Sequence, residues 1–314
     1  MEKNILLVIV GPTAVGKTEI ALDVAKKLDA EIISADSMQV YKYMDIGTAK
    51  PSAKEQSEVK HHLIDIIEPD EKFSVADYQE IAKLKIANIH SREKLPILTG
   101  GTGLYINAVC YNYTFSDFER DPELIRELHC LAEKHGNEYL HKKLLELDEV
   151  SAEKIHPNNL RRLIRALEVC IKTGKPFSYF EEKTKKQEVP YNLIMFGLTR
   201  PRDELYERIN TRVKLMIKSG LITEVEKLLE MGYSKELNSM QGLGYKQIVE
   251  YLEGKMTLTE TIDKISRDTR RYAKRQYTWF LRDKNIRWFD VSKQGKKRTI
   301  ENIIKIVEGK LKTT

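Results

Sequence analysis

Cysteine is scarce in this chain: three among 314 residues, Cys110, Cys130 and Cys170, far apart and never in C-x-x-C spacing. That excludes a disulfide framework and a zinc finger, and all three are expected to be reduced, structural thiols. Long hydrophobic runs are also missing. The longest near the start, Ile5 to Val10, stops at Gly11-Pro12. It is too short for a signal-peptide core or a membrane span, so a cytosolic protein without membrane contact is expected. No internal repeat or low-complexity tract is present. Charge of one sign does not dominate: 53 Lys and Arg stand against 47 Asp and Glu, a net +6. The surplus is nevertheless uneven. From Thr261 to Thr314 sixteen basic residues face six acidic ones, which leaves the rest of the chain net negative. A basic end on such a body points to a polyanionic partner or to a solvated charged face.

What is present begins with Gly11-Pro12-Thr13-Ala14-Val15-Gly16-Lys17-Thr18, which matches G-x-x-x-x-G-K-[ST] at every defined position. Asn4–Val10 before it reads as a buried strand. Glu19–Leu28 after it has helical apolar spacing at Ile20, Ala21, Val24, Ala25 and Leu28. Strand, glycine loop and helix form the context in which this motif cradles phosphates. Backbone N–H groups converge on oxygens, Lys17 neutralises a terminal phosphate and the Thr18 hydroxyl reaches Mg²⁺. The loop specifies a polyphosphate, not a nucleotide.

Ala30–Asp36 predicts a second strand that carries Asp36 toward the loop, because ligands in open α/β sheets bind beyond the carboxyl ends of strands. A polar, glycine-punctuated stretch follows through Pro51. Val75–His90 predicts a helix with Ser74 as N-cap. Leu95–Thr99 predicts a strand opening into Thr99-Gly100-Gly101-Thr102-Gly103-Leu104-Tyr105, where a phosphate-loop ATPase often carries a metal-binding Asp; none is present. From about Tyr113 to Gln187 the spacing is helical throughout. It includes Asn158–Lys172 with the stripe Leu160, Leu163, Leu167 and Ile171. Leu193–Thr199 predicts a strand returning to the core. Helices are expected near Arg202–Ser219, Ile222–Met231, Lys246–Leu252 and, as the last strong one, Leu258–Leu281. In that last helix Arg267, Arg271 and Lys274 share a face with Arg270 and Arg275 beside Trp279 and Phe280.

The expected fold is therefore α/β: a P-loop NTPase-like parallel sheet flanked by helices, residues 1–112 and 191–314, with an all-helical insertion over 113–190. Three chemistries compete: a small-molecule or nucleotide kinase, an RNA-dependent ATPase or other RNA-binding module, and a transferase whose leaving group is diphosphate. The absent NKxD-type motif disfavours a GTPase. A lone carboxylate facing the loop, Asp36, suits a base that deprotonates a nucleophile, or a residue that holds Mg²⁺ through water or caps a turn.

Five blocks carry a family resemblance: the phosphate loop; Asp36-Ser37-Met38-Gln39-Val40-Tyr41 with Met44 to Pro51; Gly100 to Tyr105; His156-Pro157-Asn158 with Arg162 and Arg165 to Glu168; and Thr269 to Gln276 with Thr278-Trp279-Phe280. In order and over nearly the whole chain, they resemble the bacterial tRNA dimethylallyltransferases, or tRNA isopentenyltransferases. The resemblance implies a Mg²⁺-dependent transfer from dimethylallyl diphosphate to the exocyclic amine of the adenosine just 3′ of the anticodon, after that base leaves its stack. Asp36 is then the general base, with Thr18, Lys17 and Thr102 completing the catalytic set and Thr18 on the metal. Gly11 to Thr18 and Arg212 hold the diphosphate; for Arg208 and Arg212, solvent is the alternative. Asp36, Ser37, Met38, Gln39 and Thr102 meet the acceptor base. Arg126, Arg161, Arg162, Leu163 and Arg165 on the insertion grip the anticodon stem-loop. So do Gln241, Gly242, Gly244, Tyr245, Arg271 and Arg275 elsewhere. Arg161 stands where many relatives carry glutamine, so a phosphate contact suits it better than a base contact. A monomer is expected. An enzyme prenylating free adenine nucleotides is the runner-up, and the insertion and basic helix argue against it.

Overall fold

A computed structural model describes residues 3–115 and 120–312, apart from the Lys185 side chain. The part of the helical reading that falls on 116–119 lies outside the described residues. The chain divides into two compact units, Met1–Cys110 with Pro190–Thr314, and Tyr111–Val189.

The first unit is built on a six-stranded, all-parallel sheet. In chain order its strands are β1 (Ile5–Val10), β2 (Ala30–Ser34), β3 (His61–His62), β4 (Leu95–Gly100), β5 (Asn192–Thr199) and β6 (Arg287–Asp290), arranged β3-β2-β4-β1-β5-β6. Every residue of β1 and β2 is buried. This is the signature of parallel strands covered on both faces, and it explains why they read as continuous apolar runs without alternation. The register pairs Val10 with Gly100 and Ser34 with Thr99, so β1, β2 and β4 end level with one another. The three loops that follow them, beginning at Gly11, Ala35 and Gly101, therefore open on one edge of the sheet.

Helices α1 (Lys17–Lys27), α2 (Ala53–Glu58), α3 (Val75–His90) and α4 (Gly103–Cys110) belong to this unit. Ser74 and Asp77 close a reciprocal capping box at the start of α3. The second unit holds α5 (Pro122–His135), α6 (Asn137–Leu147), α7 (Glu149–Lys154), α8 (Leu160–Thr173) and α9 (Phe177–Lys185) around its own apolar cluster. The buried side of α8 is Leu163, Ile164, Ala166, Leu167 and Cys170. Ile171 is half exposed, because residues 163, 167 and 170 already define the inward arc and 171 falls at its edge. The first unit resumes with α10 (Arg202–Lys218), α11 (Leu221–Glu230), α12 (Tyr245–Leu252), α13 (Leu258–Phe280), α14 (Val291–Gln294) and α15 (Lys296–Leu311). The expectation that α13 is the last strong helix is corrected by α15, whose Ile300, Ile303 and Val307 pack with α1 residues in the main apolar cluster. Strands β3 and β6 are short and lie at the two edges of the sheet, which is why composition did not announce them. Cys130 is exposed and not structural, whereas Cys110 and Cys170 are buried. Among the described residues no helix is long and apolar enough to cross a membrane.

One buried charge ties the sheet edge down. Glu31 on β2 is 4% exposed. Its carboxylate accepts from the Arg92 guanidinium, with one bond at 2.9 Å, and lies 2.7 Å from His62 Nε2 on β3. Arg92 first, then His62, holds its pKa at about 2, well below 4.5. A depressed carboxyl stabilises the fold fully above its unfolded pKa and loses that contribution as pH falls toward 2. The shift corresponds to a contribution on the order of 2–3 kcal/mol. Arg92→Ala is expected to remove most of it and to flatten the stability profile between pH 4.5 and 3. Urea unfolding at pH 3, 4.5 and 7 checks this, and parallel profiles for both proteins would discount the pair.

Candidate active site

The residues at the carboxyl edge of the sheet line one cleft: Thr13, Lys17 and Thr18 from the phosphate loop, Asp36 after β2, Thr99 to Gly101 from β4, Arg212 from α10, and Tyr272 and Gln276 from α13. The three loops after β1, β2 and β4 meet there because these parallel strands end in register, and α10 and α13 add the other two segments.

The phosphate loop is held from both sides. Lys17 Nζ donates to the carbonyls of Gly11 and Pro12, each at 2.9 Å. Gly16, with φ +105°, leads into α1 without a side-chain cap, so the first N–H groups of the helix have no side-chain acceptor. On the outer side, α10 presents two arginines one turn apart. Arg208 Nε donates to the Ala14 carbonyl at 2.8 Å, and an Arg212 N–H reaches Thr13 Oγ1 at 3.5 Å. Arg208 is thus a brace for the loop backbone, and Arg212 faces the cleft. Arg200 adds a third contact, its Nε donating to the Val15 carbonyl at 2.9 Å.

Positive charge is concentrated here. Burial, then the nearby Arg212, lowers the Lys17 pKa from 10.5 to about 7, and Asp36 opposes the shift. Burial also lowers Arg212, again against the pull of Asp36. Two cations held below their ordinary values in one cleft form an anion site, because an entering anion restores their preferred charged state. Thr18 lines the cleft, and no cluster of three or more His, Cys, Asp and Glu could hold an ion among the described residues. The Thr18 hydroxyl is a hard oxygen donor of the kind Mg²⁺ accepts beside water and substrate phosphate.

Asp36 lies two residues beyond β2, not within it. Its Oδ1 accepts from the Met38 N–H at 3.0 Å, a local turn that aims the carboxylate. Thr102 Oγ1 accepts from the Ser37 N–H at 3.0 Å and donates to Ser37 Oγ at 3.2 Å. The loops after β2 and β4 can lie this close because residue 100 is glycine: a Cβ there would come within 2.2 Å of the Ala35 carbonyl oxygen.

Several sites expected to meet RNA have other work. Tyr245 is 1% exposed, its hydroxyl bound to Glu224 at 2.6 Å. It is a buried anchor and not an RNA contact. Gly244 takes φ +96° at the N-cap of α12, a conformation that calls for glycine, and so shapes the turn. Leu163 is fully buried in the core of the helical unit and cannot touch tRNA through its side chain. Gln39 spends its amide internally: Oε1 accepts from Ser34 Oγ at 2.8 Å, and Nε2 donates to the Thr48 and Ala49 carbonyls. Gln241 donates to the Lys235 carbonyl at 2.7 Å. Gly242 packs against Met38, whose methyl a Cβ would approach to 2.4 Å. On α13, Arg271, Lys274 and Arg275 are exposed. Arg270 turns instead to Asn210 Oδ1 at 2.6 Å. In the helical unit Arg126 and Arg161 are exposed. Arg162 faces Glu181 at 3.4 Å, and Arg165 pairs with Glu168 at 2.9 Å.

Sequence reasoning passed over Gln276 and Tyr272 as site residues, although both stand in the fifth block. The Thr13 N–H donates to Gln276 Oε1 at 2.8 Å, and Gln276 Nε2 donates to the Gly101 carbonyl at 3.0 Å. Tyr272 is in hydrogen-bond contact with Thr102 and Gln276, and burial raises it to about 12, with Asp36 adding to the shift. Their four-residue spacing was a usable signal, hidden under the basic pattern of the same helix.

Known proteins resemble this chain over most of its length. The IPP transferase family model matches residues 39–284. The tRNA dimethylallyltransferase of Carboxydothermus hydrogenoformans is 56% identical over 299 residues, 95% of this chain and 96% of that one. That of Caldanaerobacter subterraneus subsp. tengcongensis is 53% identical over 310 residues, 98% of each. Among solved structures, the full-length tRNA isopentenylpyrophosphate transferase of Bacillus halodurans matches with a TM-score of 0.74 and 47% identity, over 99% of this chain and 98% of that one. A eukaryotic dimethylallyltransferase acting on tRNA matches with a TM-score of 0.75 and 28% identity, over 91% and 74%. By the extent of the matched segment and the near full-length identity to these relatives, the chain belongs to the IPP transferase family.

Proposed function

We propose that this chain transfers the dimethylallyl group of dimethylallyl diphosphate to the exocyclic amine of the adenosine 3′ of the anticodon in tRNA, releasing diphosphate. The observation that carries the reading is one carboxylate, Asp36, sharing a cleft with the phosphate loop and with two cations, Lys17 of that loop and Arg212 of α10, both held below their ordinary pKa values. The adenine amine is a weak nucleophile because its lone pair is delocalised into the ring. As the C–N bond forms at the allylic carbon, Asp36 accepts the amine proton. The C–O bond to diphosphate breaks and its electron pair leaves with the diphosphate. Lys17, Arg212 and the α1 N-terminus offset the charge that develops there. Mg²⁺, bound through Thr18, would supply further charge neutralisation on the diphosphate. Ser37 and Thr102, bonded to each other beside Asp36, set the acceptor side. Arg271 and Arg275 give the first unit a positive surface for an RNA backbone, and Arg126, Arg161, Arg162 and Arg165 give the helical unit one of its own.

The test is incubation with labelled dimethylallyl diphosphate, Mg²⁺ and either unmodified tRNA or AMP. Label in tRNA alone bears the reading out. Label in AMP alone keeps the chemistry but removes tRNA as acceptor. ATP hydrolysis with no label transferred makes the loop a nucleotide site and ends the transferase reading. Within the reading, Arg162→Ala is expected to weaken tRNA binding and to lower the slope of log K against log salt by about one phosphate contact, roughly 0.7–0.9. Filter binding across salt concentrations measures it, and an unchanged slope would place Arg162 outside the RNA surface.

A further inference from the structure

We infer that Gln276 is a positioning residue for the diphosphate end of the reaction, acting through the phosphate loop; this rests on the prenyl-transfer reading above. Its side chain is 5% exposed on the inner face of α13. One amide serves two active-site loops at once. Oε1 accepts the Thr13 N–H from the loop after β1, and Nε2 donates to the Gly101 carbonyl in the loop after β4.

The neighbours on the same helix face repeat the arrangement. Residues 272, 276 and 279 recur at i, i+4 and i+7 and so point the same way. Tyr272 takes Thr102, Gln276 takes Gly101, and Trp279 lies against Gly103, where a Cβ would come within 2.3 Å of the indole. Gln276 goes further than the other two and reaches the phosphate loop. The bond has a chemical consequence. It holds the Thr13 N–H on the glutamine, so the diphosphate meets the remaining amides of the loop. It also sets the spacing between that loop and the Thr102–Ser37 pair that flanks Asp36. Leaving group and base are therefore held at one separation by one side chain. Loss of that bridge misplaces the diphosphate relative to the base without removing any group that touches RNA, and misplacement of this kind is costly to turnover.

The test uses two variants of the full chain. Gln276→Met keeps the length and shape of the side chain and lacks both hydrogen-bonding ends. Gly101→Ala leaves residue 276 unchanged, but its Cβ would fall 2.2 Å from Gln276 Nε2 and displace the amide. The backbone at Gly101 is outside the positive-φ region, so alanine brings no conformational strain of its own. Steady-state kinetics with labelled dimethylallyl diphosphate and unmodified tRNA, calorimetry with inorganic diphosphate and Mg²⁺, and thermal melting are read together. For Gln276→Met, kcat is expected to fall about 10–100-fold and the KM for the donor to rise about fivefold or more, with the KM for tRNA within about twofold. The dissociation constant of inorganic diphosphate should rise in step with the donor KM. The double variant should be little worse than the worse single one, since both break the same bridge. Unchanged diphosphate affinity, or a loss of donor and tRNA parameters together in proportion to the melting temperature, overturns the inference. If the unsubstituted protein binds diphosphate but transfers no label to tRNA, the reaction reading fails, while the diphosphate arm still decides the role of Gln276.

Discussion

Asp36→Asn lowers kcat for prenyl transfer by about 10³-fold and leaves the KM for tRNA within about twofold; this is the largest effect expected on chemistry. The amide is the same size as the carboxylate, and its oxygen still accepts the Met38 N–H, so the turn after β2 persists. What disappears is the capacity to take a proton from the adenine amine. The exchange also removes the negative charge that opposes the lowering of Lys17 and Arg212. Its loss lowers Lys17 further but also removes a repulsion on the entering diphosphate; the two effects offset, so binding of inorganic diphosphate should change much less than kcat. Asp36→Ala additionally frees the Met38 N–H and should act more broadly, which makes the asparagine variant the cleaner measurement. Single-turnover transfer of labelled dimethylallyl to tRNA separates chemistry from product release. A variant with intact single-turnover rate but weakened tRNA binding would make Asp36 a base-contacting residue and return the proton to another acceptor.

Glu224→Ala is expected to destabilise the protein by about 2–4 kcal/mol and to lower kcat/KM by about 10–100-fold, although Glu224 touches no substrate in the reading above. Its carboxylate accepts four donors: the backbone N–H groups of Asp45 at 3.0 Å, Ile46 at 2.7 Å and Gly47 at 3.1 Å, and the Tyr245 hydroxyl at 2.6 Å. Burial, then this carboxylate, pushes the Tyr245 phenol far above its usual range, so it stays a donor at any working pH. The segment so anchored includes Thr48 and Ala49, which line the cleft and accept from Gln39. Gly47 belongs to the same device, since a Cβ there would lie 2.4 Å from the Tyr245 ring. Removal of the carboxylate leaves the buried Tyr245 hydroxyl and the half-buried Ile46 and Gly47 N–H groups without this acceptor, whereas the exposed Asp45 N–H can turn to water, and the three unpaired donors set the size of the loss. Glu224→Gln, which keeps one acceptor oxygen, should recover part of it. Urea unfolding with kcat/KM on the same preparations is the measurement. A melt within about 0.5 kcal/mol of the unsubstituted protein would show that the loop holds itself.

The two cases also mark where sequence and structure part. Asp36 was legible because its signal is local: an apolar run that must be a buried strand, a carboxylate at its end, and a phosphate loop one helix earlier. The Tyr245 turn was legible as a turn and misread as a surface, since a Gly-Tyr pair says nothing of which way the ring points until α11 and α12 are packed. Leu163 is the opposite case: its place in the apolar stripe of α8 was legible from spacing, and the packing confirms that stripe against the RNA contact expected of it together with its arginine neighbours.

By itself, the order of apolar runs and helical stripes determined a parallel α/β core interrupted by a helical segment. The motif residues determined that a polyphosphate loop and a carboxylate would meet at one sheet edge, because strand and helix periodicity and phosphate-loop chemistry are short-range properties. Tertiary structure alone decided that Gln276 bridges Thr13 and Gly101, that Glu224 anchors residues 45–47, and that α15 closes on α1. Each is a bond or contact between residues far apart in the chain. An amide or carboxylate looks the same in sequence whether it faces water or takes a partner, and only packing removes the water that would otherwise satisfy it.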